Sequence, residues 1–312
     1  MKKIPVVAVV GPTASGKTGL GIAIARRFDG EIVSADSMQI YKGMDIASAK
    51  PTAAEREAAP HHLIDFADRQ TRFSVAEYVA LAGEVIRDIA GRGKLPVVVG
   101  GTGLYIDALL SGLTFAKEET DPALRRRLLA EYDRLGGEEM LARLEKSDPE
   151  AAARLHPNDR KRILRALEVQ MTTGQRKSEL DRAAAAGESP YQALYIGLRY
   201  CDRALLYDRI NRRVDAMLDA GLAAEAEREY DPTSGTAAQA IGHKELAPYF
   251  AGEISLDAAA ENLKRQTRRY AKRQMTWFSK NEQIHWIDCD GRSVEEIASR
   301  AAEWIESWRQ TL

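Results

Sequence analysis

The chain has 312 residues, enough for one large domain or for a core with a smaller second domain. Its hydrophobic residues (45%) and charged residues (29%) are balanced as in soluble globular proteins, and its formal net charge of -1 excludes a molecule-wide attraction to nucleic acid. Cys201 and Cys289 are not at metal-ligand spacing, and two free thiols are typical of a reducing cytoplasm. No apolar stretch could span a bilayer, so the sequence predicts a cytoplasmic protein without a membrane partner.

The first predicted element is a strand, Ile4–Val10, which leads into a glycine-rich loop and then a helix over Gly19–Phe28. The loop matches the phosphate-binding pattern Gly-x4-Gly-Lys-Ser/Thr, in which backbone N–H groups and a helix N-terminus surround one anion. The predicted phosphate site comprises Gly11, Pro12, Thr13, Ala14, Ser15, Gly16, Lys17 and Thr18. Lys17 is expected to contact the phosphates and the Thr18 hydroxyl to bind Mg²⁺. Such loops bind nucleotides most often, but any diphosphate with Mg²⁺ satisfies the same chemistry.

A second strand, Glu31–Ala35, is followed by the segment Asp36-Ser37-Met38-Gln39-Ile40-Tyr41. A carboxylate at this end of a strand faces the crevice where open α/β sheets bind ligands. Asp36 could therefore hold Mg²⁺ in a hydrolase, act as a general base in a transferase, or simply begin a turn.

A third buried strand, Leu95–Val99, ends in Gly100-Gly101-Thr102 rather than in the Asp that is common in phosphate-loop NTPases. We expect the two glycines to let the backbone approach a ligand closely. Thr102 would then donate a neutral hydrogen bond to a leaving group. A glycine turn that merely begins the next helix is the alternative.

From about Thr120 to Glu188 the chain is rich in Ala, Leu, Arg and Glu and contains no strand-like run. One predicted helix here carries Arg125, and another, Arg160–Thr172, carries Lys161, Arg162 and Arg165. The sequence thus predicts an α/β fold. Its core is a parallel sheet like that of the phosphate-loop NTPases, flanked by helices, over residues 1–117 and 191–312. An all-helical domain over residues 118–190 is inserted into it.

A long helix is predicted from about Leu256 to Trp277. One half of its circumference is apolar and includes Leu263, Tyr270 and Trp277. The other half is basic and carries Lys264, Arg265, Arg268, Arg269, Lys272 and Arg273. Six cations within ten residues predict contact with a phosphate backbone, although a solvated helix face is the alternative.

In order along nearly the whole chain, these segments resemble the tRNA dimethylallyltransferase (tRNA isopentenyltransferase, IPP transferase) family. The matching segments are Gly11–Thr18, Asp36–Tyr41, Pro60–Asp65, Gly100–Tyr105, His156–Asp159, Ala240–Gly242 and Ala271–Phe278. The chain departs from the family pattern at Ala47-Ser48, where Gly-Thr is usual, and at His243, where Tyr is common.

The resemblance implies transfer of a dimethylallyl group from its diphosphate to the exocyclic N6 amine of the adenosine 3′-adjacent to the anticodon of tRNA. Asp36 and Thr102 would be the catalytic residues, and Arg209 or Arg213 would join the phosphate loop and Mg²⁺ at the diphosphate. The implied tRNA contacts are Asp36, Ser37, Met38, Gln39, Thr102, Arg125, Lys161, Arg162, Ile163, Leu164, Arg165, Gln239, Ala240, Ile241, Gly242, His243, Lys244, Arg268, Arg269, Lys272 and Arg273.

Three other functions stay open at this point. An isopentenyltransferase acting on free adenine nucleotides would share the phosphate loop and Asp36 but would not need several basic clusters. A phosphate-loop kinase or NTPase would hydrolyse or transfer from a nucleoside triphosphate, and a binding module would keep the loop without turnover. We expect a monomer. The identity of the tRNAs and the order of substrate binding do not follow from the sequence.

Overall fold

The computed structural model describes residues 2–113 and 121–312 of the chain. It divides into two compact units, Met1–Leu110 with Pro190–Leu312, and Ser111–Ser189. The predicted domain boundary between residues 117 and 118 lies outside the described residues. All strands of the described chain belong to the first unit.

The first unit is built on one parallel sheet with the strand order β3-β2-β4-β1-β5-β6. The strands are β1 (Ile4–Val10), β2 (Gly30–Ser34), β3 (His61–His62), β4 (Leu95–Val99), β5 (Tyr191–Arg199) and β6 (Ile284–Asp288). Val9 of β1 lies beside Val99 of β4 on one side and beside Ile196 of β5 on the other. The predicted α/β fold with a parallel sheet is confirmed.

Helices cover both faces of this sheet, which is why its strands are apolar almost without interruption. The helices of the first unit are α1 (Lys17–Arg27), α2 (Ala53–Ala58), α3 (Val75–Gly91), α4 (Gly103–Leu110), α10 (Arg203–Asp219), α11 (Leu222–Glu229), α12 (His243–Phe250), α13 (Leu256–Phe278) and α14 (Val294–Arg309), while the helices numbered between α4 and α10 belong to the second unit. Helices α10 to α13 pack against one another in a separate cluster. Tyr78 and Ile106 of α3 and α4 pack on one face. Ile24 and Ile305 of α1 and α14 pack on the other.

Local sequence explains where several of these helices begin and end. Ser74 caps α3 and exchanges hydrogen bonds with Glu77, which satisfies free N–H groups at the helix start. Gly221, at φ 98°, separates α10 from α11, and glycine suits this position because a side chain would be strained in that conformation. No helix among the described residues is both long and apolar enough to cross a bilayer.

The second unit is helical throughout its described part. Its helices are α5 (Pro122–Leu135), α6 (Gly137–Ser147), α7 (Pro149–Ala152), α8 (Arg160–Thr173) and α9 (Lys177–Ala184). Leu128, Met140 and Leu144 form its core together with Ile163 and Leu164 of α8. Both of these α8 side chains are fully buried, so the predicted tRNA contact by Ile163 and Leu164 is wrong for their side chains. They lie on the apolar face of the helix, whereas Lys161 and Arg162 are exposed.

Candidate active site

The phosphate loop follows β1, at the centre of the sheet edge where the strands end. Gly11 adopts φ 142°, and a Cβ there would lie 2.5 Å from the carbonyl oxygen of Leu198. Gly16 adopts φ 97° immediately before α1, so its backbone is also in a region that favours glycine. The Ser15 Oγ is buried and has no hydrogen-bond partner. The loop thus has the backbone expected of an anion site, with one polar atom unsatisfied.

Lys17 is half-buried at the start of α1. Its Nζ donates a 2.7 Å hydrogen bond to the carbonyl oxygen of Pro12. Burial lowers the pKa of Lys17 to about 7, with a further lowering by the charge of Arg213 and a smaller opposing effect of Asp36. An anion placed in the loop would raise this pKa again, because it would favour the ammonium form.

Helix α10 directs two arginines at the loop. Arg209 donates from Nε to the carbonyl oxygen of Ala14 at 3.0 Å. Burial lowers the pKa of Arg213, while the nearby Asp36 carboxylate acts in the opposite direction. Arg212 also lines the cavity at the phosphate loop, but it is largely exposed and pairs with Asp208 at 2.8 Å. Arg209 and Arg213 are therefore the better candidates for a diphosphate contact.

The segment after β2 forms a turn that carries Asp36. The Oδ1 of Asp36 accepts a 2.8 Å hydrogen bond from the Met38 N–H. The Ser37 N–H donates to the Thr102 Oγ1 at 3.1 Å, and this hydroxyl also contacts the Ser37 Oγ at 3.3 Å. Thr102 does not belong to the walls of the two cavities described below. Its geometry favours support of the Asp36 turn over the predicted direct contact with substrate.

Gln39 already has partners for its side-chain amide. Its Oε1 accepts a 2.9 Å hydrogen bond from the Ser34 hydroxyl. Its Nε2 donates to the carbonyl oxygens of Ser48 (3.4 Å) and Ala49 (3.2 Å). The loop over residues 45–50 therefore orients the Gln39 side chain, which is an implied tRNA contact.

Two residues of α13 complete the site and were missed by sequence reasoning. Gln274, which is 5% exposed, accepts a 2.8 Å hydrogen bond from the Thr13 N–H and donates a 2.9 Å bond to the carbonyl oxygen of Gly101. Tyr270, one turn earlier, is near Asp36. Burial and the charge of Asp36 raise the pKa of Tyr270, while its hydrogen bonds with Thr102 and Gln274 lower it by a smaller amount. Their four-residue spacing on the inward face of α13 was the available signal.

The glycines after β4 also allow close packing within the protein, and Gly100 and Gly101 line the cavity at the phosphate loop. A Cβ on Gly101 would lie 2.2 Å from the Gln274 Nε2, and one on Gly103 would lie 2.2 Å from the Trp277 ring. A Cβ on Gly100 would lie 2.2 Å from the carbonyl oxygen of Ala35. These glycines let α13 and the neighbouring strand end pack closely, so close approach to a ligand is not needed to explain them.

Two cavities meet at this site. The first, which we call the phosphate cavity, has a volume of about 1090 Å³ and is lined by Lys17, Thr18, Arg209 and other residues. The second, which we call the side cavity, has about 220 Å³, and its walls combine apolar side chains with polar and charged ones, among them Asp36, Arg213, Lys244 and Arg273. Both cavities are lined by Thr13, Asp36, Ser48, Arg213, Met217 and Tyr270. Asp36 therefore faces the space where the two cavities join.

Most of the predicted segment Gln239–Lys244 belongs to the side cavity. Gln239, Ala240, Ile241, Gly242 and Lys244 all line it. His243 does not, because its side chain is buried and bonds through Nε2 to Glu225 at 2.9 Å. The predicted tRNA contact by the His243 side chain is therefore wrong.

The predicted basic surfaces differ in how many of their charges are already paired. Arg269, Lys272 and Arg273 of α13 are exposed, and Arg273 also lines the side cavity. Arg268 instead donates to the Asn211 Oδ1 at 2.6 Å. Lys264 pairs with Asp215 at 2.8 Å. In the second unit, Arg125 and Arg165 each lie 3.2 Å from the buried carboxylate of Glu168.

Comparison with known proteins gives a consistent result. A family model described as IPP transferase matches residues 39–281, and one described as isopentenyl transferase matches residues 4–72. The tRNA dimethylallyltransferase of Bacillus subtilis (strain 168) is 49% identical over 288 residues, which cover 92% of this chain and 91% of that protein. A similar relative from Caldanaerobacter subterraneus is 44% identical and covers 97% and 98% of the two chains.

Solved structures agree with these sequence matches. The full-length tRNA isopentenylpyrophosphate transferase of Bacillus halodurans is 42% identical, with a TM-score of 0.72 and 99% coverage of both chains. A eukaryotic dimethylallyltransferase acting on tRNA is 28% identical, with a TM-score of 0.77, and covers 97% of this chain and 80% of its own.

Proposed function

The chain belongs to the IPP transferase family, and from that premise we propose that it is a tRNA dimethylallyltransferase. The reaction moves the dimethylallyl group of dimethylallyl diphosphate to the N6 amine of the adenosine 3′-adjacent to the anticodon. The observation that carries this proposal is the location of Asp36, which lines both a cavity with a phosphate loop and a smaller neighbouring cavity.

The phosphate cavity is suited to a diphosphate leaving group. Lys17, Arg209 and Arg213 place three cations beside the loop, and the lowered pKa of Lys17 and of Arg213 reflects burial of positive charge. An anion compensates this unfavourable burial, so binding and charge stabilisation come from the same groups. As the C1–O bond of the substrate breaks, its electron pair leaves with the diphosphate, where these cations stabilise it.

The side cavity is suited to the adenine. Its volume of about 220 Å³ is below the ~300–1,000 Å³ of pockets for drug-sized ligands, so one flat base is a reasonable occupant. An adenine inside an RNA stack cannot reach Asp36, so the nucleotide would be flipped out of the loop. The N6 lone pair forms the new bond to C1, and Asp36 accepts the N6 proton.

Mg²⁺ is part of the proposal on chemical grounds. Thr18 lines the phosphate cavity beside Lys17, and the described residues contain no cluster of three His, Cys, Asp or Glu side chains that could hold a metal alone. This fits an ion that shares few protein oxygens with the oxygens of a bound diphosphate. When bound, Mg²⁺ would neutralise charge on the leaving group, with the Thr18 hydroxyl as its protein ligand.

The basic residues of α13 would hold the RNA backbone. Arg269 and Lys272 are exposed, while Arg273 also reaches the side cavity, so phosphate contacts would continue up to the flipped base. We also assign tRNA binding to the inserted unit, through the exposed Lys161 and Arg162 of α8. The anticodon stem-loop is the part of tRNA that presents the target adenosine.

The test is incubation of the purified protein with dimethylallyl diphosphate, Mg²⁺ and unmodified tRNA, followed by nucleoside analysis. We expect N6-dimethylallyladenosine next to the anticodon and one equivalent of diphosphate. Transfer to AMP in the absence of tRNA would instead favour an enzyme for free adenine nucleotides. Hydrolysis of ATP without transfer would favour a phosphate-loop NTPase.

A further inference from the structure

Glu225, on α11, is a buried carboxylate, 4% exposed, that lines neither cavity. Its oxygens accept hydrogen bonds from three consecutive backbone N–H groups, those of Asp45 (2.8 Å), Ile46 (2.7 Å) and Ala47 (2.9 Å). The fourth donor is the Nε2 of His243, at 2.9 Å. One side chain thus holds a loop and the first residue of α12 together.

The charge state of Glu225 supports a strong interaction. Burial by itself would raise the pKa of Glu225, but the hydrogen bonds from His243, Ile46 and Ala47 outweigh this effect and lower it below its ordinary value. Hydrogen bonds to an ionised carboxylate are shorter and about twice as strong as those between neutral groups. The loop is therefore held to a fixed, negatively charged group.

The two segments that Glu225 joins both line the side cavity. Ala47 and Ser48 come from the loop, while Ile241 and Gly242 come from the segment before α12. The walls touch beside the cavity, since a Cβ on Gly242 would lie 3.0 Å from the Cβ of Ala47. Gly242 also adopts φ 124°, so no larger residue is suited to this position.

We propose that Glu225 and His243 are positioning residues that set the width of the side cavity and thereby the fit of the tRNA adenine. This inference rests on the proposed function. Neither side chain lines a cavity itself. Glu225 acts through the loop over residues 45–48, which lines both cavities, whereas His243 acts through the preceding Ile241–Gly242 segment, which lines only the side cavity.

The test uses two matched variants of His243. His243→Met keeps a side chain of similar length but removes the donor, whereas His243→Gln places an amide donor at about the reach of Nε2. We expect His243→Met to raise the KM for tRNA about tenfold, because small displacements in a packed site are costly. The KM for dimethylallyl diphosphate and the kcat should stay within about twofold of wild type, and His243→Gln should restore the KM for tRNA.

Amide hydrogen exchange provides a readout that does not depend on turnover. In Glu225→Gln, the amides of Ile46 and Ala47 should exchange at least about tenfold faster, with unchanged exchange in the phosphate loop. Should that variant fail to fold, His243→Met provides the same measurement. An active wild type whose His243→Met form keeps the wild-type KM for tRNA would overturn the positioning role alone. A wild type that modifies no tRNA would overturn the proposed function as well.

Discussion

The phosphate end of the first unit and the helical second unit both contain clustered cations, but these cations have different partners. Lys17 and Arg209 are bonded to loop carbonyl oxygens, and burial lowers the pKa of Lys17 and of Arg213. In the second unit, Arg125 and Arg165 share the buried carboxylate of Glu168. A basic residue alone is thus a poor guide to an anion site, whereas buried charge with carbonyl partners is a good one.

The largest effect should come from the carboxylate between the two cavities. Asp36→Asn keeps the size of the side chain but removes the proton acceptor, so kcat should fall by about 10²–10⁴. Affinities for tRNA and for dimethylallyl diphosphate should change little, as measured by binding assays. Asp68→Asn, at an exposed surface carboxylate, is the matched control. Wild-type turnover in Asp36→Asn would remove Asp36 from the role of base.

The comparison between the two units can be tested by a reciprocal pair of variants. Lys17→Met should weaken dimethylallyl diphosphate binding by about 100-fold, since it removes a charged hydrogen bond to the ligand. It should not lower the unfolding temperature of the free protein, because burial of that ammonium opposes folding.

Glu168→Gln should do the opposite. The amide lacks the negative charge that Arg125 and Arg165 share, and we expect stability to fall by about 1–2 kcal/mol, after allowance for partial exposure of both arginines. Diphosphate affinity, measured by calorimetry, should be unchanged. Weaker diphosphate binding in this variant would contradict the distinction between the two units.

The pKa of Lys17 predicts a pH dependence of binding. Because this pKa is about 7 in the free protein and an anion raises it, the free protein loses the needed proton above pH 7. The Kd for dimethylallyl diphosphate should therefore rise up to about tenfold per pH unit between pH 7 and pH 9. Lys17→Arg, whose guanidinium stays charged, should show only the dependence that comes from the ligand. If log Kd rose equally steeply with pH in the wild type and in Lys17→Arg, the pH dependence could not be assigned to Lys17.

The smallest effect concerns the exposed face of α13. The double variant Arg269→Ala/Lys272→Ala should reduce the slope of log K for tRNA against log salt concentration by about 2, because each of the two cations would neutralise one phosphate. Arg300→Ala, which removes a cation paired with Glu303 on α14, is the control and should leave the slope unchanged. An unchanged slope in the double variant would mean that these two residues lie in solvent.

Some features of the site followed from short stretches of sequence. The phosphate loop was predictable because its conformation depends on Gly11, Gly16 and Lys17, which are close in the chain. The location of Asp36 was also predictable, since parallel strands end at one edge of the sheet. These predictions need only the direction of a strand, not the packing of any helix.

Tertiary structure decided which face of each helix is buried and what the buried side chains contact. Ile163, Leu164 and His243 lie among predicted tRNA contacts, yet packing places their side chains inside the protein. Gln274 lies among cations of α13, yet its side chain bonds to Thr13 of the phosphate loop and to Gly101. These partners are 261 and 173 positions away in the chain. Periodicity defines the faces of a helix, but only the neighbours that pack against it determine which polar groups become partners.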